Sequence, residues 1–297
     1  MVVSSNNVDK DFITNFEHLR CIKKDVVDAM IREFNISDKP VIKNLVLSMT
    51  TYPKRIDDVH YAIFSILNQS ILPEKFILWL TRDEFPLLEQ GLPESILQFK
   101  RFGLEIRFTD AMRSFQKIIP TLRDFPNSVI VTADDDIFYP CDWLKSLYDS
   151  YLDAPSKIYA HRMHRVEIIN DKIASYAYWS KCIVSKVPTP LNFATAVGGV
   201  LYPPNVFEKE VLNKSSFLKL CPMADDVWIW AMAVFSGVQI VSPMNTLQGE
   251  LIFINPEREL GYTEDKTLSM LNVMGGCNDR QIDAVVNHYN LLEKILG

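Results

Sequence analysis

Three consecutive carboxylates, Asp134, Asp135 and Asp136, directly follow the apolar run of residues 129–133. Adjacent carboxylates at the end of a buried strand repel one another, so a fold keeps them there at a cost unless a cation neutralises them. Because side chains alternate along a strand, we expect Asp134 and Asp136 on one side and Asp135 on the other. Mn²⁺ or Mg²⁺ on Asp136, together with Asp134 or Asp135, would take oxygen ligands and leave positions for a diphosphate. The alternative is a triplet that only begins a solvated loop or caps a helix.

A second acidic pair, Asp225 and Asp226, opens a segment in which Trp228, Met232 and Phe235 recur at helical spacing. Capping and the helix dipole explain one Asp at a helix start, but explain two less readily. Neighbouring helix positions are about 100° apart, so only one of the two carboxylates can face a metal centre. We expect Asp225 at the cap and Asp226 facing the site.

The apolar runs predict an α/β chain with a largely parallel sheet covered by helices. Buried strands are expected at residues 45–49, 75–80, 104–108 and 128–133, with a helix over 56–67. Beyond residue 145 the pattern is more irregular, and strands are expected near 158–161, 198–202 and 238–242. Residues 1–40 are predicted to form a helical lead, and residues 279–296 a final helix.

In the order of its parts, the chain resembles the GT-A glycosyltransferases over roughly residues 44–240. The Asp-x-Asp that defines this family matches residues 134–136. The segment SMTTYPKR at residues 48–55 stands where that fold has its first nucleotide-binding loop, and residues 62–70 resemble the helix that follows. The resemblance implies a Rossmann-like, mostly parallel central sheet flanked by helices. Residues 41–145 would form the nucleotide-sugar-binding half and residues 146–297 the acceptor-binding half of one continuous catalytic domain.

The same resemblance implies an activity. The chain would move a sugar from a nucleoside-diphosphate sugar, by default a UDP-sugar, to a hydroxyl of a glycan or glycolipid acceptor, in surface polysaccharide or lipooligosaccharide synthesis. Such enzymes depend on a divalent metal. In the inverting members, an acidic residue at a helix start deprotonates the acceptor hydroxyl, and this role falls to Asp225 or Asp226, with Asp226 preferred. A retaining enzyme of the same fold stays open, because both classes share the metal site.

Further donor-binding candidates lie in loops beside the predicted strands. They are Thr50, Thr51, Tyr52, Arg55, Arg82, Lys117, Asp134, Asp135, Gly198 and Gly199. The Tyr52 ring could stack on the base and Arg55 could reach a phosphate, or Arg55 could simply solvate a helix start. Arg82 and Lys117 are either donor ligands or surface charges.

The glycine pair predicts close backbone approach or a special dihedral, since the chain has only ten glycines. The resemblance puts this stretch against the donor sugar, and a β-bulge is the alternative. The aromatic residues Tyr176, Tyr178 and Trp179 would suit a wall for a pyranose ring, or a core strand.

Composition limits the other classes of function. The net charge of -6 and the pI near 5.5 argue against nucleic acid as a partner. Five scattered cysteines suggest buried thiols in a reducing compartment, and the charged first twenty residues fit neither a signal peptide nor a membrane span. We therefore expect a cytoplasmic protein, associated with the inner membrane only peripherally, through its acceptor.

Three rival functions fit these motifs less well. A haloacid-dehalogenase-type phosphatase needs a Thr where Phe138 stands. A sugar-nucleotide pyrophosphorylase would have a glycine-rich loop near its first strand, and residues 48–58 contain no glycine. A catalytically inactive carbohydrate-binding protein would have no need to retain both acidic clusters.

Overall fold

The structure is a computed structural model that describes residues 12–36, 38–262 and 276–297. Its strands are, in chain order, β1 (Ile13–Phe16), β2 (Leu19–Ile22), β3 (Val41–Thr50), β4 (Leu72–Thr81), β5 (Leu104–Thr109), β6 (Val129–Ala133), β7 (Ile137–Phe138), β8 (Ile158–Ala160), β9 (Met163–Arg165), β10 (Ile168–Ile169), β11 (Lys172–Ile173), β12 (Ser180–Ile183), β13 (Asn192–Ala194), β14 (Val200–Tyr202), β15 (Ile240–Val241) and β16 (Ile252–Phe253). Its α-helices are α1 (Lys24–Arg32), α2 (Val59–Leu67), α3 (Glu94–Leu97), α4 (Ile119–Asp124), α5 (Trp143–Asp153), α6 (Lys214–Leu220), α7 (Asp225–Phe235), α8 (Pro256–Glu259), α9 (Cys277–His288) and α10 (Leu292–Leu296).

The central sheet has the strand order β15-β8-β14-β6-β3-β4-β5. All of its strands are parallel except β14, which runs antiparallel to both β6 and β8. Strands of a parallel sheet are covered on both faces and read as continuous apolar runs, as β6 does with all five residues buried. The expected α/β class, with a mostly parallel sheet flanked by helices, is confirmed. All seven strands expected from the sequence are present, with β3 and β4 longer than expected.

Two apolar clusters lie on opposite faces of this sheet. Neighbouring residues of β6 point to different clusters, Val131 to one and Ile130 to the other. The first cluster is covered by α2 and α5, and the second by α7 and α9. Such burial on both faces provides the main driving force for folding and fixes the strand ends in place.

The order of the strands creates a crevice at one edge of the sheet. From β3 the chain proceeds outward through β4 to β5, then returns to add β6 on the other side of β3. In open α/β sheets, ligands bind at such a reversal, outside the carboxyl ends of the strands. A ligand is therefore expected to bind at the loops that follow β3 and β6.

The lead, residues 1–40, is helical only in part, because within its described portion the hairpin β1-β2 precedes α1. In a second sheet of order β1-β2-β16-β7, strand β2 pairs with β16 through Cys21 and Phe253. The partner strand lies more than two hundred residues away in the sequence, so no local pattern could indicate the pairing. Residues 1–11 of the lead lie outside the described residues.

The predicted final helix is divided in two. Helix α9 ends at His288 and α10 begins at Leu292, and between them Asn290 has a left-handed φ of 51°. Asn tolerates that conformation better than most residues, so the chain can turn there. The expected apolar face is largely kept, because Ile282, Val285 and Ile295 are buried.

Within the described ranges, no helix combines the length and the apolar character that crossing a membrane would require. The expectation that the cysteines are buried holds for only two of the five, since Cys277 is intermediate in exposure and two others are exposed. Cys21 and Cys221 are buried, whereas Cys141 and Cys182 are exposed.

Candidate functional site

The loops that carry the predicted donor residues start side by side. Strands β3 and β6 are parallel neighbours, and Met49 is paired with Ala133 at their carboxyl ends. The loop that begins after Thr50 therefore emerges next to the acidic triplet at 134–136. The crevice expected from the strand order is thus lined by the two segments that the sequence singled out.

Arg55 and Thr51 hold two of the three carboxylates. The Arg55 guanidinium lies 2.6 Å from an Asp135 oxygen and 2.7 Å from an Asp136 oxygen, and the Thr51 hydroxyl donates to Asp135 at 2.6 Å. Burial alone would lower the pKa of Arg55, but Asp135 and Asp136 raise it above its usual value. Arg55 is therefore a permanent cation that the carboxylates hold in place.

Lys117 holds the third carboxylate and links it to the second acidic pair. Its ammonium lies 2.6 Å from Asp134 and 3.5 Å from Asp225, and its side chain is only 10% exposed. Burial by itself would lower the pKa of Lys117, but Asp134, Asp225 and Asp226 raise it well above its usual value. Lys117 is thus a buried, charged centre of the site and not a surface residue.

These contacts correct the expected arrangement of the triplet. Strand β6 ends at Ala133, so the strand alternation that should have separated Asp135 from Asp136 stops before it applies. Asp135 and Asp136 face Arg55 together, while Asp134 faces Lys117. From the sequence, a divalent ion was expected to neutralise the three carboxylates. In the structure, Arg55 and Lys117 also contribute positive charge beside them.

Asp225 does not cap the helix, contrary to expectation. Ala224 occupies the N-cap and no side chain caps it, so Asp225 and Asp226 both lie in the first turn of α7. The ion pair with Lys117 draws the Asp225 carboxylate into the site. Asp226 accepts a hydrogen bond from the Ala196 backbone N–H at 3.2 Å. The two carboxylates therefore differ, as helix geometry requires, because one is paired with a cation and the other is not.

The site holds more negative than positive charge. Five carboxylates, from the triplet and the pair at the start of α7, gather around the two cations Arg55 and Lys117. Burial, opposed by Arg55 and reinforced by Asp135 and Asp134, raises the pKa of Asp136 to about 7. Burial and the neighbouring Asp225, opposed by Lys117, raise the pKa of Asp226 to about 8. Asp136 and Asp226 therefore resist ionisation until further positive charge arrives.

Among the described residues, no group of three or more His, Cys, Asp or Glu side chains is arranged to hold a metal ion. Mg²⁺ is usually bound by one or two carboxylates together with substrate phosphates and water, so a site of this kind needs fewer protein ligands. The excess negative charge fits a divalent cation bound in that way.

The remaining candidates of the first loop differ in position. The Tyr52 ring is half-buried, with the Arg55 guanidinium 5.4 Å from its centre. The Thr50 hydroxyl donates to the Trp79 carbonyl at 2.8 Å and so serves the sheet. Arg82 is exposed at the end of β4, where its guanidinium donates to the Phe108 carbonyl at 3.0 Å. The site contacts therefore unite Thr51, Arg55 and Lys117 with the acids, but not Arg82.

Gly198 and Gly199 have the close approach and the special dihedral that the sequence suggested. A Cβ on Gly198 would lie 2.7 Å from the Arg162 Cβ, and one on Gly199 would lie 2.1 Å from Trp143 Cζ2. Gly199 also has φ 84° and ψ 141°, a region that only glycine adopts readily. Packing inside the protein therefore accounts for both glycines, and contact with a donor sugar stays a prediction.

Trp179 belongs to the core, whereas Tyr178 does not. Trp179 is buried against Phe193 and Trp230, with ring centres 5.2 and 6.3 Å away. Tyr178 is 74% exposed, and Tyr176 is intermediate. Of the suggested aromatic wall, only the two tyrosines remain accessible to a ligand.

Sequence analysis missed two supports of the triplet. The Tyr139 hydroxyl accepts a hydrogen bond from the Asp134 backbone N–H at 2.8 Å, and the Tyr139 ring packs 4.2 Å from that of Trp143. The Ile254 N–H donates to the Asp136 carbonyl at 3.1 Å, which ties the segment after β16 to the site. The tyrosine lies only three residues after the triplet and could have been suspected, but nothing local points to Ile254.

Comparisons with known proteins find structures of similar fold but do not assign the chain to a family. No protein-family model and no curated protein matches the chain. Among solved structures, it is similar to S. aureus TarS 1-349 in complex with UDP-GlcNAc, with a TM-score of 0.44 and 11% identity, covering 85% of this chain and 71% of TarS 1-349. It is also similar to CMP:2-keto-3-deoxy-manno-octonic acid synthetase complexed with CTP, with a TM-score of 0.40 and 10% identity, covering 69% of this chain and 89% of that one.

A third likeness is to the inositol-1-phosphate CTP transferase from T. maritima, with a TM-score of 0.37 and 13% identity, covering 67% of this chain and 84% of that one. Likenesses at this level carry no argument about activity.

Proposed function

We propose that this chain transfers a sugar from a nucleoside-diphosphate sugar to an acceptor hydroxyl. The observation that carries the proposal is the convergence of Arg55, Lys117, the acidic triplet and the start of α7 in the crevice at the carboxyl ends of β3 and β6. Ligands of open α/β sheets bind in that position. Partly buried cations and carboxylates side by side suit a substrate that carries a diphosphate and a metal together.

The donor would lie over the first loop. The half-buried Tyr52 ring leaves a face for the base, and Arg55, beside that ring, can offer its guanidinium to a phosphate. UDP is the expected nucleotide, and a glycan or glycolipid the expected acceptor. Both follow from the resemblance to the GT-A enzymes.

A divalent cation, Mn²⁺ or Mg²⁺, would be held by Asp136 and Asp134. The charge balance supports this assignment, since five carboxylates face only two protein cations. When bound, such an ion stabilises the negative charge that develops on the departing diphosphate. Arg55 and Lys117 hold the carboxylates of Asp135 and Asp225 in position through ion pairs.

Asp226 is the proposed general base. Its carboxylate has a backbone N–H as its hydrogen-bond partner, whereas Asp225 is paired with Lys117. Asp226 would take the proton of the acceptor hydroxyl while that oxygen bonds to the anomeric carbon and the bond to the diphosphate breaks. A single displacement of this kind inverts the anomeric configuration. A product that retains the donor configuration would assign the chain to the retaining class instead.

A thermal-shift panel of nucleoside diphosphates and nucleotide-sugars, each with and without Mn²⁺, tests the proposal. A ligand at 100 times its dissociation constant stabilises the folded state by about 2.7 kcal/mol. We expect at least one nucleotide to raise the melting temperature, and to raise it further when Mn²⁺ is present. If no nucleotide shifts the melting temperature at millimolar concentration, the proposed function must be abandoned.

A further inference from the structure

Two cations outside the site described above, Arg162 and Lys181, lie within electrostatic range of each other. Arg162 directly precedes β9, and Lys181 belongs to β12, the antiparallel neighbour of β9. The Arg162 Nε donates to the sulfur of Cys182 at 3.3 Å, which places the guanidinium against the residue that follows Lys181. We call these two residues the cation pair.

Both members of the cation pair are held in place. The Arg162 Nη1 donates to the Thr195 hydroxyl at 3.1 Å. The Lys181 ammonium lies 3.2 Å from the centre of the Tyr176 ring and donates to the Tyr176 carbonyl at 2.5 Å. Cation–π contact and hydrogen bonding restrict a side chain that would otherwise move freely in solvent. The pair is therefore preorganised.

No carboxylate forms an ion pair with either cation in the part of the chain that the structure describes. Two acids act on the pair without forming an ion pair: Asp279 acts on Lys181, and Glu259 interacts with Arg162. The Asp279 carboxylate already accepts hydrogen bonds from the Ser175 hydroxyl and the Tyr176 N–H, each at 2.7 Å. Two like charges without a carboxylate partner favour the binding of an anion.

The lowered pKa values of Lys181 and of the neighbouring His164 agree with an excess of positive charge at the cation pair. Burial, followed by the charge of Arg162, lowers the pKa of Lys181 to about 8. Burial, followed by the charges of Arg162 and Lys181, lowers the pKa of the neighbouring His164 to about 3. The imidazole is thus kept neutral, and its Nδ1 accepts the Cys182 N–H at 3.0 Å.

The cation pair is connected to the proposed base by a short path. Thr195, which binds Arg162, is followed by Ala196, whose N–H donates to Asp226. Tyr176, whose ring lies under the Lys181 ammonium, is also affected by the charge of Asp226. Burial raises the pKa of the Tyr176 phenol to about 12, and the negative charge of Asp226 is the next cause. The adjacent residues Thr195 and Ala196 therefore join the cation pair and Asp226 by one hydrogen bond each.

We propose that the acceptor carries an anionic group, a phosphate or a carboxylate, and that Arg162 and Lys181 bind this group while Asp226 receives the acceptor hydroxyl. This inference rests on the proposed function, which assigns Asp226 to the acceptor. It adds that neutral glycans are poor acceptors. A phosphate at the pair could come from the acceptor or from the donor diphosphate, and the experiment separates the two sources.

The test uses the full chain and inorganic phosphate as the probe, titrated calorimetrically against chloride at constant ionic strength. We expect phosphate to bind both the wild-type protein and the protein saturated with UDP. Arg162→Gln and Lys181→Gln should each weaken phosphate binding by about tenfold or more, the scale of a lost hydrogen bond to a charged group. The control Lys186→Gln removes an exposed lysine that donates to the Met244 carbonyl, and it should leave phosphate binding unchanged.

Several results would overturn the inference. One is phosphate binding that is equal in the wild type and in Lys181→Gln, a variant of an exposed side chain whose folding is not at risk. Another is phosphate binding that disappears on saturation with UDP, since the probe would then report the donor site. UDP affinity within about twofold of wild type in both variants would show that the donor site is separate. Failure of UDP to bind, with phosphate binding at the pair intact, would contradict the proposed function and leave the anion site standing.

Discussion

Replacing Gly199 by alanine should destabilise the protein strongly, and the structure separates two causes. The first is backbone strain, because φ 84° with ψ 141° is a region where a residue with a side chain costs of order 1–3 kcal/mol. The second is overlap, because the new Cβ would lie 2.1 Å from Trp143 Cζ2 and 2.8 Å from Trp143 Nε1. Trp143 is fully buried, so its ring cannot move into solvent to relieve the contact.

Overpacking of a close-packed core costs typically about 1–3 kcal/mol. Together with the strain, the two causes predict a loss of about 2–6 kcal/mol in the free energy of unfolding for Gly199→Ala. Gly103→Ala is the matched control, because Gly103 also has a positive φ, 97°, but a Cβ there meets no atom within 4 Å. It should lose only about 1–2 kcal/mol, the cost of the left-handed conformation.

Equilibrium unfolding in urea, followed by tryptophan fluorescence and circular dichroism, measures both losses. A double-mutant cycle with Trp143→Phe measures the overlap, since the smaller phenyl ring does not extend to the position of Cζ2, the indole atom nearest to the new Cβ. Gly199→Ala should therefore cost less in that background. If Gly199→Ala and Gly103→Ala prove equally destabilising, or if the cycle shows no coupling, the account of the glycine pair as a packing feature is refuted.

The site and the core lead to five further predictions. Asp136→Asn should abolish the Mn²⁺-dependent part of UDP binding in calorimetry with little change in stability, whereas Asp142→Asn, a change at an exposed acid, should leave binding unchanged. Asp226→Asn should lower turnover by roughly 10²–10⁴-fold with donor binding retained, and near-wild-type turnover would remove the proposed base. Asp225→Asn should mainly destabilise the fold, because it takes a partner from the buried Lys117, so equal effects of the two variants on turnover would contradict their separate roles. Tyr52→Ala should weaken UDP binding more than it lowers turnover at saturating donor, since base stacking is similar in the ground and transition states; a large fall in turnover with unchanged donor KM would argue otherwise. Finally, burial lowers the pKa of His161 to about 4, whereas in the unfolded state it is about 6.5. As the pH falls from about 6.5 to about 4, His161 therefore binds a proton in the unfolded state but not in the folded state. Stability should drop by up to about 3 kcal/mol between those pH values, and urea unfolding of His161→Asn should show a smaller drop.

The sequence predicted the central sheet well, for a physical reason. Strands covered on both faces need uninterrupted apolar residues, and such runs are visible without any knowledge of the partner strand. The hairpin β1-β2 was missed because its place depends on Cys21 meeting Phe253, and no local pattern carries that information. The break in the final helix was missed because one residue, Asn290, adopts a left-handed conformation within an otherwise continuous apolar pattern.

The structure brings several of the candidate residues together, but the sequence did not show how they pair. The acidic triplet was recognisable as costly, yet the sequence could not show that Arg55 and Lys117 neutralise it, because both pairings arise from chain segments that meet only in the folded sheet. The side chains of the triplet do not alternate as expected for a strand, because β6 ends at Ala133, directly before the triplet. Lys117 lies in the apolar segment SFQKIIP, and a lysine there could have indicated a buried charge with a partner.

Glycosyl transfer in this crevice is tested by ³¹P NMR of the full chain incubated with nucleotide-sugars and Mg²⁺, a diamagnetic ion that does not broaden the phosphorus signals. Glycosyltransferases without an acceptor hydrolyse their donor slowly. We therefore expect release of the nucleoside diphosphate from at least one nucleotide-sugar. The rate of this release should be strongly reduced by Asp226→Asn. Added pyrophosphate should yield no nucleoside triphosphate. Formation of a nucleoside triphosphate and a sugar 1-phosphate would identify a pyrophosphorylase instead, and no turnover of any donor would contradict the assignment of this crevice to glycosyl transfer.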